Sequence, residues 1–336
     1  MKSIAPFILF VIFFTVFLSL RPQEVRGEIR LFGRPSAFSL RPRLGTFYGT
    51  IQEILYAGAD SGVRQSELRW ELKPLLYAGL DLAFGPSETV RGWGLFADLA
   101  FKTGLTSAAT GTMEDRDWID DANPETLTLF SSHENITEEA LLFTLNAGAV
   151  FFLTDTFFLK GFFSLDYWHI KMISRNGYLQ YGPNGTYPPP PAPVPWDPSW
   201  PREPFTGPGI SYFQRWLILS PGLGLGAALG RFTLSGTVKI SPLIFCRAED
   251  NHLKRKILFT DYPSGGLYVE PGLDLFFSLS PKARIGLGLN CRSVKGSRGD
   301  NITEDYGAGA PSSKSKNVAG TEILVFEGNL NLTVSF

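Results

Sequence analysis

The chain has 336 residues, 44% of them hydrophobic, with 35 glycines and 28 phenylalanines. Its 31 Lys and Arg against 32 Asp and Glu leave a net charge of -1, which excludes the strongly basic surface of a nucleic-acid binder. Two cysteines, Cys246 and Cys291, are too few for a cysteine-built metal site, although an exported pair could in principle form one disulfide.

In chain order, Met1-Lys2 supplies a short positive end, Ile4 to Leu20 is almost wholly apolar, and charged and small residues follow up to Gly27. This is the layout of an export signal, so residues 1–27 are expected to be a signal peptide and 28–336 one domain. A single anchor helix is the alternative, since the apolar stretch is nearly long enough to span a bilayer.

The remainder alternates apolar and polar residues with a period of two. A first strand is expected near 44–56. From Leu68 to Phe84 the even positions read Leu, Trp, Leu, Pro, Leu, Ala, Leu, Leu, Phe, while the odd positions include Glu67, Arg69, Glu71, Lys73 and Asp81. The pattern recurs over 93–101, 141–153, 159–167, 217–229, 232–240, 267–279 and 285–291, and ends with Leu324, Phe326, Leu330, Leu332, Val334 and Phe336. Such alternation over strands of ten or more residues marks an outer-membrane barrel with its apolar set toward lipid; a soluble sandwich would use strands of about five or six residues. The predicted fold is all-β: a ten-stranded antiparallel transmembrane β-barrel extending beyond the outer membrane. An even count with both ends in the periplasm places five connections outside, near 58–65, 106–137, 176–210, 248–256 and 298–318, with Gly85-Pro86-Ser87 and Thr154-Asp155 as tight inner turns. Charged residues of both signs, such as Glu67, Arg69, Glu71 and Lys73, would fill so narrow a lumen, which disfavours a porin.

Two polar segments fall at the outer end. EDRDWIDDANP carries Glu114, Asp115, Asp117, Asp120 and Asp121, and Asp250-Asn251-His252 holds one of only three histidines. On a ten-stranded barrel these rims face each other across the mouth. Acids opposite an Asp-x-His are the parts needed to activate a water for hydrolysis. Taken singly each signal is weak, because an acidic loop is usually solvated surface or a cation site; the two together at one rim carry the reading. Other features stay structural. The run from Pro188 to Pro195 stiffens the third outer loop as an extended spacer. The Asn-x-Thr triplets at Asn135, Asn184, Asn301 and Asn331 are read as chance, the last lying within a strand. Cys246 and Cys291 fall two strands apart, about 9.5 Å, beyond disulfide reach.

LGTFYG (44–49), SELRW (66–70), MEDRDWIDDANP (113–124), SSH (131–133), FQRW (213–216), Asp250-Asn251-His252 and AGTEILVF (319–326) together resemble the omptins, outer-membrane endopeptidases of Gram-negative bacteria. The resemblance covers essentially the whole chain after residue 27. It implies peptide or protein substrates met at the cell surface by a monomer, with the active site facing the exterior and no metal or cofactor. It implies that His252 is the general base, that Asp250 orients it, and that Asp115 and Asp117 hold the water from the other side. Ser131 and His133 match a family Ser-x-His pair and are read as supporting the site. Family members cleave beside basic residues using two acids in the first pocket. Glu53 matches one; the other position is Ala248, and Glu249 beside it would point the other way. Tyr167 and Arg215 match a lipopolysaccharide motif of the outer wall, with Lys171 where the family has Arg and His169 where it has Glu; lipopolysaccharide is thus an expected partner and a candidate requirement for activity. Plain snorkelling at the interface accounts for such cations equally well. A barrel of the same shape without activity, used as an adhesin or structural protein, is the alternative function.

The pocket assignment has one structural requirement. From Phe232 to Ile240 the lipid-facing positions are even, and unbroken alternation would turn Ala248 and Asp250 outward. A one-residue bulge is therefore expected between Ser241 and Arg247. Pro242 is its natural place, since proline cannot donate to the ladder.

Overall fold

Apolar side chains can face lipid only if every backbone polar group behind them is paired, and a closed sheet achieves this without leaving an edge. The computed structural model describes residues 29–31, 34–86, 92–106, 110–183 and 193–336. The expected signal peptide, Ser87, Asn184 and most of the proline run lie outside the described residues. The described residues contain β-strands and no α-helix: β1 (Ile29–Leu31), β2 (Arg34–Tyr56), β3 (Arg64–Pro86), β4 (Gly92–Gly104), β5 (Thr110–Asp117), β6 (Leu129–Phe152), β7 (Phe157–Gln180), β8 (Glu203–Pro204), β9 (Pro208–Leu229), β10 (Phe232–Ser241), β11 (Leu243–His252), β12 (Ile257–Ser264), β13 (Leu267–Ser280), β14 (Ala283–Asp305) and β15 (Ser313–Ser335).

These close into an antiparallel ring of ten staves. Three staves are each split in two: β4 with β5, β10 with β11, and β12 with β13. In chain order the staves run β2, β3, β4/β5, β6, β7, β9, β10/β11, β12/β13, β14 and β15, and β15 pairs back to β2 from Ala319↔Leu55 to Ser335↔Ser39. The ten-stranded expectation holds. What differs is strand length. The staves continue well past the lipid-facing band, so Asp115 and Asp117 lie in β5, and Asp250 and His252 in β11, rather than in loops.

The outward band is apolar, with Leu44, Leu76, Phe163, Leu223, Leu243, Phe245, Leu289 and Leu330 among its exposed members. Inside it the lumen is filled by linked charges. Lys102 meets Glu327 at 2.6 Å, Arg292 meets Glu327 at 2.7 Å and Glu270 at 2.6 Å, and Lys239 meets Glu270 at 3.1 Å and Asp166 at 2.8 Å.

Near the outer edge of the apolar band several staves change face. Between β2 and β3 the pairing moves from Phe47↔Leu75 to Gly49↔Leu72. Shifts also occur at Thr137/Glu139 of β6 and Val294/Ser297 of β14, where Gly296 adopts φ +68°. This corrects the even-position reading of 68–84. Leu76 faces lipid, but Leu68, Trp70 and Leu72 beyond the bulge are buried inside. Pro74 sits in the irregular stretch, where its missing N–H leaves no ladder bond broken. The outer half of the lumen is thereby an apolar plug. Trp70 stacks on Tyr212 with centroids 5.3 Å apart, and Met113 and Met172 are fully buried in the same core. Trp216 Nε1 donates to Gln214 Oε1 at 2.8 Å, and Gln214 Nε2 to Thr321 Oγ1 at 2.7 Å, which pairs these two side chains, whereas Trp70 Nε1 is buried without a partner.

The expected bulge lies at Pro242. β10 pairs with β9 up to Lys239↔Gly222, whereas β11 resumes at Leu243↔Leu219: three residues intervene on one side and two on the other. Ser241 holds the kink together by donating to the Leu219 carbonyl while its Oγ accepts from Leu243 N at 2.8 Å. Beyond it Leu243 and Phe245 face lipid, and Ile244, Cys246, Ala248 and Asp250 turn inward. Cys246 and Cys291 are both free thiols.

Candidate active site

Above the plug a cavity of about 810 Å3 opens outward, lined among others by Glu53, Asp115, Asp117, Ser131, His133, Asp250, His252 and Arg255. β5 lies between β3 and β6, with Asp115 opposite Leu68 and Ser131, and Asp117 opposite Ser66 and Leu129. On the far wall β11 sets Asp250 opposite Tyr212 and Phe259, and His252 opposite Ile210 and Ile257. Because side chains two apart share a face, each Asp-x-Asp or Asp-x-His delivers both members inward.

His252 Nε2 lies 2.7 Å from Asp250 Oδ2, and Arg255 donates to His252 Nδ1 at 2.6 Å. Arg255 can only donate. Nδ1 is therefore the acceptor, and the ring proton sits on Nε2 toward Asp250. The other oxygen of Asp250, itself 4% exposed, is buried without a hydrogen-bond partner. Burial, then the charges of Asp117 and Asp250, holds the Asp115 carboxyl well above the usual carboxylate range. Burial also raises Asp117, opposed by a hydrogen bond from Ser66 and by the charges of Arg255 and His252. Two carboxyls so close retain a proton more readily than either alone.

Ser131 and His133 line the same cavity. His133 Nδ1 donates to the Asn176 carbonyl at 2.7 Å, so its Nε2 accepts from Ser131 Oγ at 2.8 Å. Burial lowers the His133 imidazole below its usual value. The third member of this pair is thus a carbonyl and not an acid. Tyr181 also hydrogen-bonds Ser131, and Phe205 packs edge-on against His133 at 4.8 Å.

Glu53 is partly buried and reaches the cavity from β2. Ala248 is 1% exposed and inward, and Glu249 turns out toward Arg247. Directly across the ladder from Ala248 stands Asp261 of β12, 3% exposed. Asp261, Arg255 and Tyr181 were not singled out from the sequence, and Asn301 only as part of an Asn-x-Thr triplet. All four follow only from register or from the folding of the outer segments.

On the outer wall Tyr167 is 37% exposed and Arg215 points outward over Phe213 at 4.9 Å. His169, Arg215 and Arg247 are in register across β7, β9 and β11. Two neighbouring side chains already have acidic partners: Lys171 with Glu138 at 3.0 Å and His169 with Glu139 at 2.9 Å.

The Omptin family model matches residues 34–336. The chain belongs to the omptin family. This omptin is 24% identical over 308 residues to plasminogen activator of Yersinia pestis, spanning 90% of the present chain and 88% of the relative. It is similar in fold to the crystal structure of outer membrane protease OmpT from Escherichia coli, with a TM-score of 0.75 and 21% identity over 89% of this chain and 97% of that one. The omptin is accordingly a peptidase of the outer membrane whose active site faces the cell exterior.

Proposed function

We propose that this omptin is an endopeptidase that hydrolyses peptide bonds beside basic residues, using a water activated by His252 and Asp250 against Asp115 and Asp117. The observation that carries the reading is the His252 ring. Asp250 holds its Nε2–H at 2.7 Å, so the lone pair is on Nδ1, within the same cavity as the aspartate pair. A water between His252 and Asp115 gives its proton to Nδ1 as it attacks the scissile carbonyl. Asp250 stabilises the imidazolium that forms, as a carboxylate does for other acid-oriented histidines. The imidazolium then returns the proton to the leaving amine. Asp117 keeps the Asp115 carboxyl in place from the opposite wall. Arg255 must release Nδ1 for this to occur, and Asp115 and Asp117 are the carboxyls it can turn toward. Ser131 and His133 support the wall behind Asp115. Glu53 favours an Arg or Lys side chain through a charge-assisted hydrogen bond.

Catalysis requires no metal or cofactor in this scheme. The partners are peptides or proteins, cut by a monomer, and lipopolysaccharide held at the outer wall by Tyr167, Lys171 and Arg215. Of these cations Arg215 is the freest to meet a phosphate, since Lys171 is already paired. The test is incubation of purified protein, with and without lipopolysaccharide, with a mixed peptide library, followed by identification of the cut sites. Cuts beside Arg and Lys that are absent from a His252→Ala preparation are expected. A library left intact by the unmodified protein under both conditions would favour an inactive barrel.

A further inference from the structure

Glu53, Asp115, Asp117, Glu203 and Asp250 line the outer cavity, and Asp261 stands in its wall next to Glu53. The deeper buried acids of the lumen meet cations, as Glu327 does Lys102 and Arg292. Glu53 and Asp261 differ. The charges that act on Glu53 are the acids Asp250, Asp261 and Asp115, each of which makes its ionisation harder, after burial itself. One Glu53 oxygen, Oε2, is buried without a partner. A buried carboxylate without a cation is costly and persists where a function uses it.

We propose that Asp261 supplies, from the neighbouring strand, the second carboxylate of the pocket for the residue preceding the cleaved bond, making Glu53 and Asp261 a paired receptor for an arginine or lysine side chain. The inference rests on the peptidase reading and names its specificity. Three features of the fold support it. The β11–β12 hairpin closes with His252 opposite Ile257, and that register places Asp261 against Ala248. An acid is thus restored at the level where position 248 is apolar and too small to reach a ligand. Glu53 and Asp261 are hydrogen-bonded to each other, so their carboxyls converge on one point. Asp261 is also held in place from behind. Thr303 Oγ1 donates to Asn301 Oδ1 at 2.8 Å, which orients the amide so that Asn301 Nδ2 donates to Asp261 Oδ1 at 2.7 Å. A neutral donor fixes the carboxylate without cancelling its charge, which leaves that charge for a ligand. Burial pushes Asp261 up to about 7, so an empty pocket shares a proton between the two acids, and an entering guanidinium or ammonium displaces it.

The test uses two fluorogenic peptides identical except for arginine or its neutral isostere citrulline before the cleaved bond, and the readout is the ratio of their kcat/KM values. In full-length Asp261→Ala the ratio should fall about 10- to 100-fold, the scale of one charge-assisted hydrogen bond. The ratio is internal to molecules that are folded and cutting, so a lower yield of barrel does not enter it. In the exchanged variant Ala248→Asp/Asp261→Ala it should recover, because the acid returns across the same ladder step. An unchanged ratio in Asp261→Ala, or an exchanged variant that is inactive or no better than the single one, overturns the proposal while leaving the peptidase reading intact. Unmodified protein that cuts neither peptide overturns the peptidase reading, and this proposal with it.

Discussion

Asp250→Asn is the sharpest probe of the proposed chemistry. In the folded protein Asp250 accepts the Nε2–H of His252 at 2.7 Å while Arg255 donates to Nδ1 at 2.6 Å, so the imidazole sits between an anion and a cation. When the ring takes a proton, the anion stabilises the product and the cation opposes it. A hydrogen bond to a charged group contributes about 1.5–3 kcal/mol, or roughly 10- to 150-fold in rate at about 1.4 kcal/mol per decade. Asparagine has a second consequence. Its amide can donate to Nε2, which moves the ring proton to Nδ1 and removes the lone pair that must face the water; the corresponding change in a serine protease costs about 10⁴. The expected loss in kcat/KM therefore lies between about 10² and 10⁴. The assay is kcat/KM for an arginine peptide from pH 5 upward, with barrel integrity followed separately. A loss below roughly threefold would refute the role of Asp250.

Four further outcomes follow from the same geometry. His252→Ala should abolish cleavage while leaving the barrel assembled, since the side chain ends β11 at the cavity, above the apolar plug; undiminished cleavage would remove the proposed base. The preference for arginine over citrulline should rise with pH up to about 7 and then level off, because below that value an entering cation must expel the proton held on the Glu53–Asp261 pair; the rise cannot exceed about tenfold per pH unit for one proton. The raised Asp261 carboxyl has the opposite effect on folding: its contribution to stability is present at low pH and is lost as the pH climbs through about 7. Chelators such as EDTA should leave the cleavage rate unchanged, because the attacking water is assigned to His252 and the carboxyls and not to a metal; inhibition reversed by added zinc would move the site into the metallopeptidase class.

The sequence and the structure agree where one rule operates and part where two compete. In the lipid-facing halves each outward side chain must be apolar and each inward one can be polar, so the period of two is visible and gives the ten staves. Beyond the lipid the interior is apolar and the outside is wet, which reverses the rule. Leu68, Trp70 and Leu72 therefore continue the lipid-facing alternation in sequence while lying on the opposite face in space. The bulge at Pro242 was legible because a proline marked it and because Asp250 had to face inward. The shift at Thr137/Glu139 carries no such residue and was not. The aspartates and the Asp-x-His were legible as chemistry on a common rim. Asp261 was hidden by register: only the closure of the hairpin at His252↔Ile257 shows that it stands opposite Ala248. Arg255 was hidden for a related reason, being a turn residue that folds back onto the ring three positions before it.

The charged filling of the lumen bears on the cell as well as on the fold. Three cations, Lys102, Lys239 and Arg292, are tied to three carboxylates, Asp166, Glu270 and Glu327, in one chain of ion pairs that crosses the bore. An ion entering from either end meets this paired layer across the bore, and the layer of Trp70, Tyr212, Met113 and Met172 above seals it again. The omptin therefore perforates the bilayer in outline only. A bacterium can carry many copies of it without becoming more permeable to salts, antibiotics or bile acids, and conductance across a planar bilayer loaded with the protein should stay at the level of bare lipid.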